Sequence, residues 1–160
     1  MTSIATILNS KSKHTKILSL AGSLGDDLNM DVYVVGGYVR DLLLNRETND
    51  IDIMVEGDAI KFANDLASRL GVKTVVEFPE FQTALIPYSD IEIEIASARK
   101  ESYRDKSRKP AVEKCTIDED LPRRDFTINT MAASLMKKNY GELIDPHGGI
   151  RDLQRKMLIT

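Results

Sequence analysis

A single cysteine, Cys115, stands among the 160 residues, so no intrachain disulfide can form and a reducing compartment is allowed. No histidine lies near it in sequence, which argues against a thiol nucleophile. No apolar run approaches the ~18 residues that a bilayer-spanning helix needs. Lys11, Lys13 and Lys16 lie near the start among apolar residues, but without the basic, apolar, then small order of a signal peptide. These absences point to the cytoplasm and away from a membrane. The two histidines, His14 and His147, have no metal-ligand partners in the sequence and read as surface and loop residues. Neither the G-x-G-x-x-G dinucleotide fingerprint nor the G-K-[ST] of a P-loop occurs, and there is no internal repeat or low-complexity tract. The formal net charge is only -3. That argues against a surface built throughout for nucleic acid and leaves room for a local basic patch.

What is present suits one compact domain. A chain of this length buries roughly 70 % of the surface its unfolded form exposes, and its hydrophobic content of 42 % and charged content of 29 % are ordinary for a globular protein. Apolar residues recur at helical spacing from Ile4 to Leu28, with Gly22 and Gly25 as expected stop signals. This makes residues 1–30 an N-terminal helical segment ahead of a domain spanning 31–160. Strands are expected at 31–35, 49–55, 72–76, 83–87 and 91–96. Helices are expected at 38–44, from Gly57-Asp58 to Leu70 with Gly71 as a left-handed cap, and at 125–135. The polar stretch 99–120 carries Arg99, Lys100, Arg104, Lys106, Arg108 and Lys109, and a loop that long inside a domain is usually functional or disordered. Gly148-Gly149 breaks the chain before a last basic segment. Mixed order with neighbouring strands at 83–87 and 91–96 favours an α+β fold over a doubly wound sheet.

Asn49 to Val55 is the most informative stretch. A strand has period two, so Asp50 and Asp52 share one face while Ile51, Ile53 and Val55 face the core. Their Cα atoms lie ~6.5–7 Å apart, near enough to converge on one cation, and hard oxygen ligands suit magnesium. Glu92 and Glu94 repeat the pattern between Ile91, Ile93 and Ile95. If that strand lies beside the first, one glutamate completes a three-carboxylate site. Such a cluster needs a cation to offset its own repulsion. Taken alone, each alternation is more simply a strand with one wet face.

Upstream, Val34-Val35-Gly36-Gly37-Tyr38-Val39-Arg40 reads as strand, glycine turn and helix start. Glycines let the backbone approach a ligand closely, and free N–H groups there favour phosphate. Arg40 follows Gly37 by about one helical turn and can return to the same anion. Asp41 reads as a structural partner for a nearby basic group. Tyr38 and Phe126 read as packing residues.

At this point the residues resemble a known family, the class II tRNA nucleotidyltransferases and bacterial poly(A) polymerases. The run Gly36-Gly37-x-Val39-Arg40-Asp41, then Asp50-Ile51-Asp52, is similar to the family's first motif. Glu94-Ile95-Ala96-x-x-Arg99-x-Glu101 resembles the strand supplying its third carboxylate. Arg123-Arg124-Asp125-Phe126-Thr127-Ile128-Asn129 resembles its R-R-D-x-x-x-N motif. Leu143-Ile144-Asp145-Pro146-x-Gly148-Gly149-x-x-Asp152-Leu153 resembles the segment that closes the head domain.

The resemblance implies a nucleotidyltransferase (DNA polymerase β-like) head fold, a mixed, mainly antiparallel sheet flanked by helices. It implies that Asp50, Asp52 and Glu94 bind a pair of magnesium ions and are catalytic, with Glu94 preferred to Glu92. Gly36, Gly37 and Arg40 would meet the triphosphate. Arg124 would meet the nucleotide and Asp125 its ribose, supported by Arg123 and Asn129. The implied substrates are CTP and ATP, and the implied acceptor is the 3′ end of tRNA or another RNA, helped by the basic loop 99–109. CCA addition is the first reading; poly(A) synthesis and a catalytically silent nucleotide-binding domain are the alternatives. Family members continue into a neck, body and tail, which the sequence does not contain before Thr160. The neck carries the E-D-x-x-R motif that chooses the base.

Overall fold

The computed structural model describes residues 2–99 and 115–160. Among these, seven strands make one sheet: β1 (Val32–Val35), β2 (Asp50–Val55), β3 (Val76–Phe78), β4 (Thr83–Tyr88), β5 (Ile91–Ser97), β6 (Ala132–Ser134) and β7 (Leu143–Ile144). They lie in the order β3-β4-β5-β2-β1-β6-β7. Every neighbouring pair is antiparallel except β2 with β5, which run parallel. The helices are α1 (Ala5–Leu8), α2 (Ser12–Leu28), α3 (Gly37–Leu43), α4 (Ala59–Leu70), α5 (Ile117–Asp120) and α6 (Gly149–Gln154). The fold is the expected α+β one, with a mixed, mainly antiparallel sheet.

The period-two alternation decides which face is covered. Val34, Ile51, Ile53, Val55, Ile93 and Ile95 are buried in one core with Ile17, Leu18 and Leu24 of α2 and Phe62, Leu66 and Leu70 of α4. At ~25 cal/mol per Å² of apolar surface, that face is the main source of the fold's stability. Asp58 caps α4, its carboxylate accepting the Lys61 N–H at 3.1 Å, and Gly71 ends the helix in the left-handed conformation, as expected. On the opposite face, among the described residues, a smaller cluster covers one end. Tyr33, Val35, Met54 and Ala132 form it with Cys115, Ile117 and Leu121. The rest of that face is left to carboxylates.

Several expectations are corrected. Residues 125–135 do not form a helix. A short turn, Thr127–Asn129, precedes β6, which pairs with β1 through Val34↔Ala133. Sheet pairing overrides the helix propensity of an alanine-containing run. The strand expected at 72–76 starts at Val76, because Val72 is still folded back onto Ala67 at the end of α4 (N···O 2.8 Å). Gly148-Gly149 opens α6 rather than only breaking the chain. Asp145 accepts the N–H groups of Gly149 and Ile150 at 2.6 and 3.1 Å.

His14 is not a surface residue. It is 5 % exposed and its Nδ1 lies 3.0 Å from the Tyr38 hydroxyl, where burial lowers its pKa. Tyr38 itself is buried, as expected. Cys115 is buried in the smaller cluster rather than lying in an open loop, and burial pushes its thiol up to about 11. The basic run 100–109 lies outside the described residues.

Gly22 and Gly25 do not stop α2, which continues to Leu28 and ends at Asn29 in the left-handed conformation. Both are close-approach sites instead. A Cβ at Gly22 would run into the backbone carbonyl of Leu135, and one at Gly25 would lie 2.6 Å from a Val32 methyl. Gly22→Ala should therefore destabilise the protein by about 1–3 kcal/mol, despite alanine's advantage of about 1 kcal/mol in an exposed helix. A urea midpoint equal to or above that of the parent would show that the helix can move away from β6.

Candidate active site

The parallel pairing of β2 with β5 places the two acidic alternations side by side. Asp50 is the register partner of Glu92, and Asp52 of Glu94. Leu85 on β4 continues the same row beyond Glu94. Asp50, Asp52, Leu85, Glu92 and Glu94 line a shallow pocket of about 230 Å³. Asp52 is half-buried, while Asp50, Glu92 and Glu94 are exposed. Burial first, then the charges of Glu94 and Asp50, push the Asp52 carboxyl up to about 6, against a smaller opposing pull from Arg124 and Arg40. Among the described residues no three side chains of metal-ligating type stand close enough together to grip an ion. The donor set nevertheless fits a hard divalent cation, because it offers carboxylate oxygens in register on one open face.

The glycine turn approaches this face from β1. Gly36 has φ +62° and ψ -129°, which only glycine adopts without strain. Its N–H donates to the Met131 carbonyl at 2.9 Å, fixing the turn to the chain just before β6. From α3, Arg40 folds back over the turn, its Nη2 3.4 Å from the place of a Gly37 Cβ. Two bonds hold that pose: Nε donates to Asp41 Oδ1 at 3.0 Å and Nη1 donates to Asn129 Oδ1 at 2.8 Å. Asp41 thus pairs with a nearby basic group, as its structural reading expected, and Asn129 bonds the same arginine.

Arg124 comes in from the other side. Its Nη1 lies 3.0 Å from the place a Gly36 Cβ would occupy, and its charge reaches Asp52. Arg123 turns away. Its Nη2 donates to Asp120 Oδ2 at 2.9 Å and its Nε donates to the Arg99 carbonyl at 2.9 Å. Asp125 is exposed. The sequence reading missed Asp120, which is 1 % exposed and meets both arginines. The signal was its spacing of three and four residues ahead of them. Of the expected residues, the structure brings together Asp50, Asp52, Glu94, Gly36, Gly37, Arg40, Asn129 and Arg124.

The open acidic row on a mixed sheet, flanked by a glycine turn and two arginines, has the layout that the sequence resemblance implies. Comparison with known proteins makes this specific: the chain belongs to the poly A polymerase head domain family, whose sequence profile matches residues 32–159. It is 47 % identical over 138 residues to the A-adding tRNA nucleotidyltransferase of Geobacter sulfurreducens, covering 86 % of this chain and 16 % of that protein. It is 50 % identical over 126 residues to the A-adding tRNA nucleotidyltransferase of Aquifex aeolicus, covering 79 % and 15 %. The solved structure of the Thermotoga maritima CCA-adding enzyme complexed with tRNA matches with a TM-score of 0.82 at 40 % identity, over 98 % of this chain and 35 % of that one. The chain therefore spans well under half the length of these relatives.

Proposed function

We propose that this chain is the catalytic head of a cytoplasmic enzyme that transfers nucleotides from CTP and ATP to the 3′-hydroxyl of tRNA, forming its CCA end. The observation that carries the reading is the convergence on Asp52. Glu94 stands in register beside it, and Arg124 and Arg40 act on it from the glycine turn. In this reading Asp50, Asp52 and Glu94 hold two magnesium ions. Bound there, the ions would supply a lowered pKa at the RNA hydroxyl and neutralisation of the departing pyrophosphate. Gly36, Gly37 and Arg40 orient the triphosphate, with Asn129 and Asp41 fixing Arg40. Arg124 meets the nucleotide, and exposed Asp125 is free to meet its ribose. The resemblance gives base choice to the E-D-x-x-R motif of the neck rather than to these residues.

The names of the Geobacter and Aquifex relatives favour a second reading, addition of the terminal A alone. The two are separated by incubating the intact enzyme with magnesium and CTP or ATP on tRNAs ending before the first C and after CC. Extension of both tRNAs supports CCA formation. Extension only of the tRNA ending in CC, and only by ATP, selects the second reading. Failure on both, or a long A tract on unrelated RNA, rejects the proposal.

A further inference from the structure

The geometry points to Asp120 as a positioning residue that holds Arg124 over the glycine turn. The inference rests on the reading that Arg124 meets the nucleotide. Asp120 is 1 % exposed, and a buried carboxylate persists only when charge and hydrogen bonds compensate it. Its Oδ2 accepts the Arg99 N–H at 2.7 Å and the Arg123 guanidinium at 2.9 Å. Among the described residues its Oδ1 has no hydrogen-bond partner and faces Arg124 Nε, which is also buried without one, 3.6 Å away. Each group is therefore the other's electrostatic partner, at a distance that a small tightening converts into a charge-assisted bond.

The rest of the arrangement follows from the chain. A capping box between Thr116 and Glu119 starts α5, and the 3-10 turn Leu121–Arg123, with Pro122 inside it, returns both arginines to the carboxylate. The Arg99 N–H lies two residues beyond the end of β5, the strand carrying Glu94. One buried carboxylate thus ties the end of the acidic strand to the arginine that reaches Gly36 and Asp52. Arg123 braces the same junction, donating to Asp120 Oδ2 and to the Arg99 carbonyl.

The test is a double-mutant cycle in the intact enzyme, reading KM for ATP and kcat separately on tRNA ending in CC. Asp120→Asn should raise KM on the order of tenfold, with a smaller change in kcat, because a guanidinium displaced by a fraction of an ångström still allows chemistry once the nucleotide is bound. In an Arg124→Ala background the same change should have little further effect on KM, and Asp120→Glu, which keeps the charge, should raise KM less than Asp120→Asn does. If Asp120→Asn does not fold, Asp120→Glu in the two backgrounds makes the same comparison. Equal KM effects with and without Arg124, or none in either, overturn the positioning role. If Arg124→Ala itself leaves KM unchanged, the nucleotide contact fails and the positioning role falls with it. That outcome is distinct from an impaired Arg124→Ala beside a silent Asp120→Asn.

Discussion

Asp52→Asn should reduce nucleotide transfer by roughly a thousandfold or more and, in the same protein freed of metal, raise the unfolding temperature. On the proposed reading, the first effect follows from losing one of the acidic ligands around a transferring phosphoryl group, where several kcal/mol of transition-state stabilisation are at stake and each 1.4 kcal/mol is about tenfold. The second follows from the electrostatics of the carboxylates themselves. Burial, Glu94 and Asp50 push the Asp52 carboxyl up to about 6, against about 3.9 in an unfolded chain. Between about pH 4 and pH 6 the folded state holds a proton that the unfolded state has lost. Ionised Asp52 therefore costs stability increasingly as pH rises through this window, and fully above it.

A shift of about two units sets that cost at no more than about 3 kcal/mol at pH 7. Asparagine keeps the shape and removes the charge, so the variant should melt a few degrees higher in EDTA at pH 7. The gain should shrink at pH 4.5, where the parent's carboxyl is itself protonated. Added magnesium should raise the melting temperature of the parent and leave the variant nearly unmoved. A variant that melts lower than the parent in EDTA at pH 7 would mean that Asp52 is structurally needed rather than electrostatically strained.

The features legible in the sequence are those with a short period. The alternations at 50–55 and 91–95 announce both their strands and which face is wet, because a strand's side chains must point to opposite sides. Their register, Asp52 beside Glu94, could only be supposed, since it depends on the parallel crossover from β2 to β5. Gly36-Gly37 with Arg40 was readable as a turn carrying a returning cation, because that geometry is local. The helical run containing Gly22 and Gly25 misled for the opposite reason. Nothing in a single sequence separates a glycine that ends a helix from one pressed against a neighbouring strand. Residues 131–135 were likewise ambiguous. Ala132, Ala133 and Leu135 suit a helix, and only pairing with β1 makes Ala132–Ser134 a strand. Asp120 escaped notice inside an acidic run, where a buried charge and a solvated one look alike until the arginines fold back onto it.

Gly36→Ala should damage both the fold and the proposed nucleotide site, by causes that can be separated. At φ +62° and ψ -129°, an L side chain is strained whatever space surrounds it, at a cost of about 1–3 kcal/mol. The turn cannot easily relax, because the Gly36 N–H is bonded to the Met131 carbonyl and the Gly36 carbonyl accepts the Arg40 N–H at 3.1 Å. The new methyl would also sit 3.0 Å from Arg124 Nη1. A free guanidinium would swing aside at little cost. This one is held from behind by Asp120, so the collision is shared between the turn and the arginine. The expected result is a urea midpoint lower by an amount corresponding to about 1–3 kcal/mol, with KM for ATP raised on the order of tenfold. Adding Arg124→Ala removes the collision but not the backbone strain. The double variant should thus be less destabilised by the alanine than the single one, though still below the Arg124→Ala protein. An unchanged midpoint and KM in Gly36→Ala would mean that the turn is free to adopt another conformation, and the arrangement of Arg124 over Gly36 would then lose its basis.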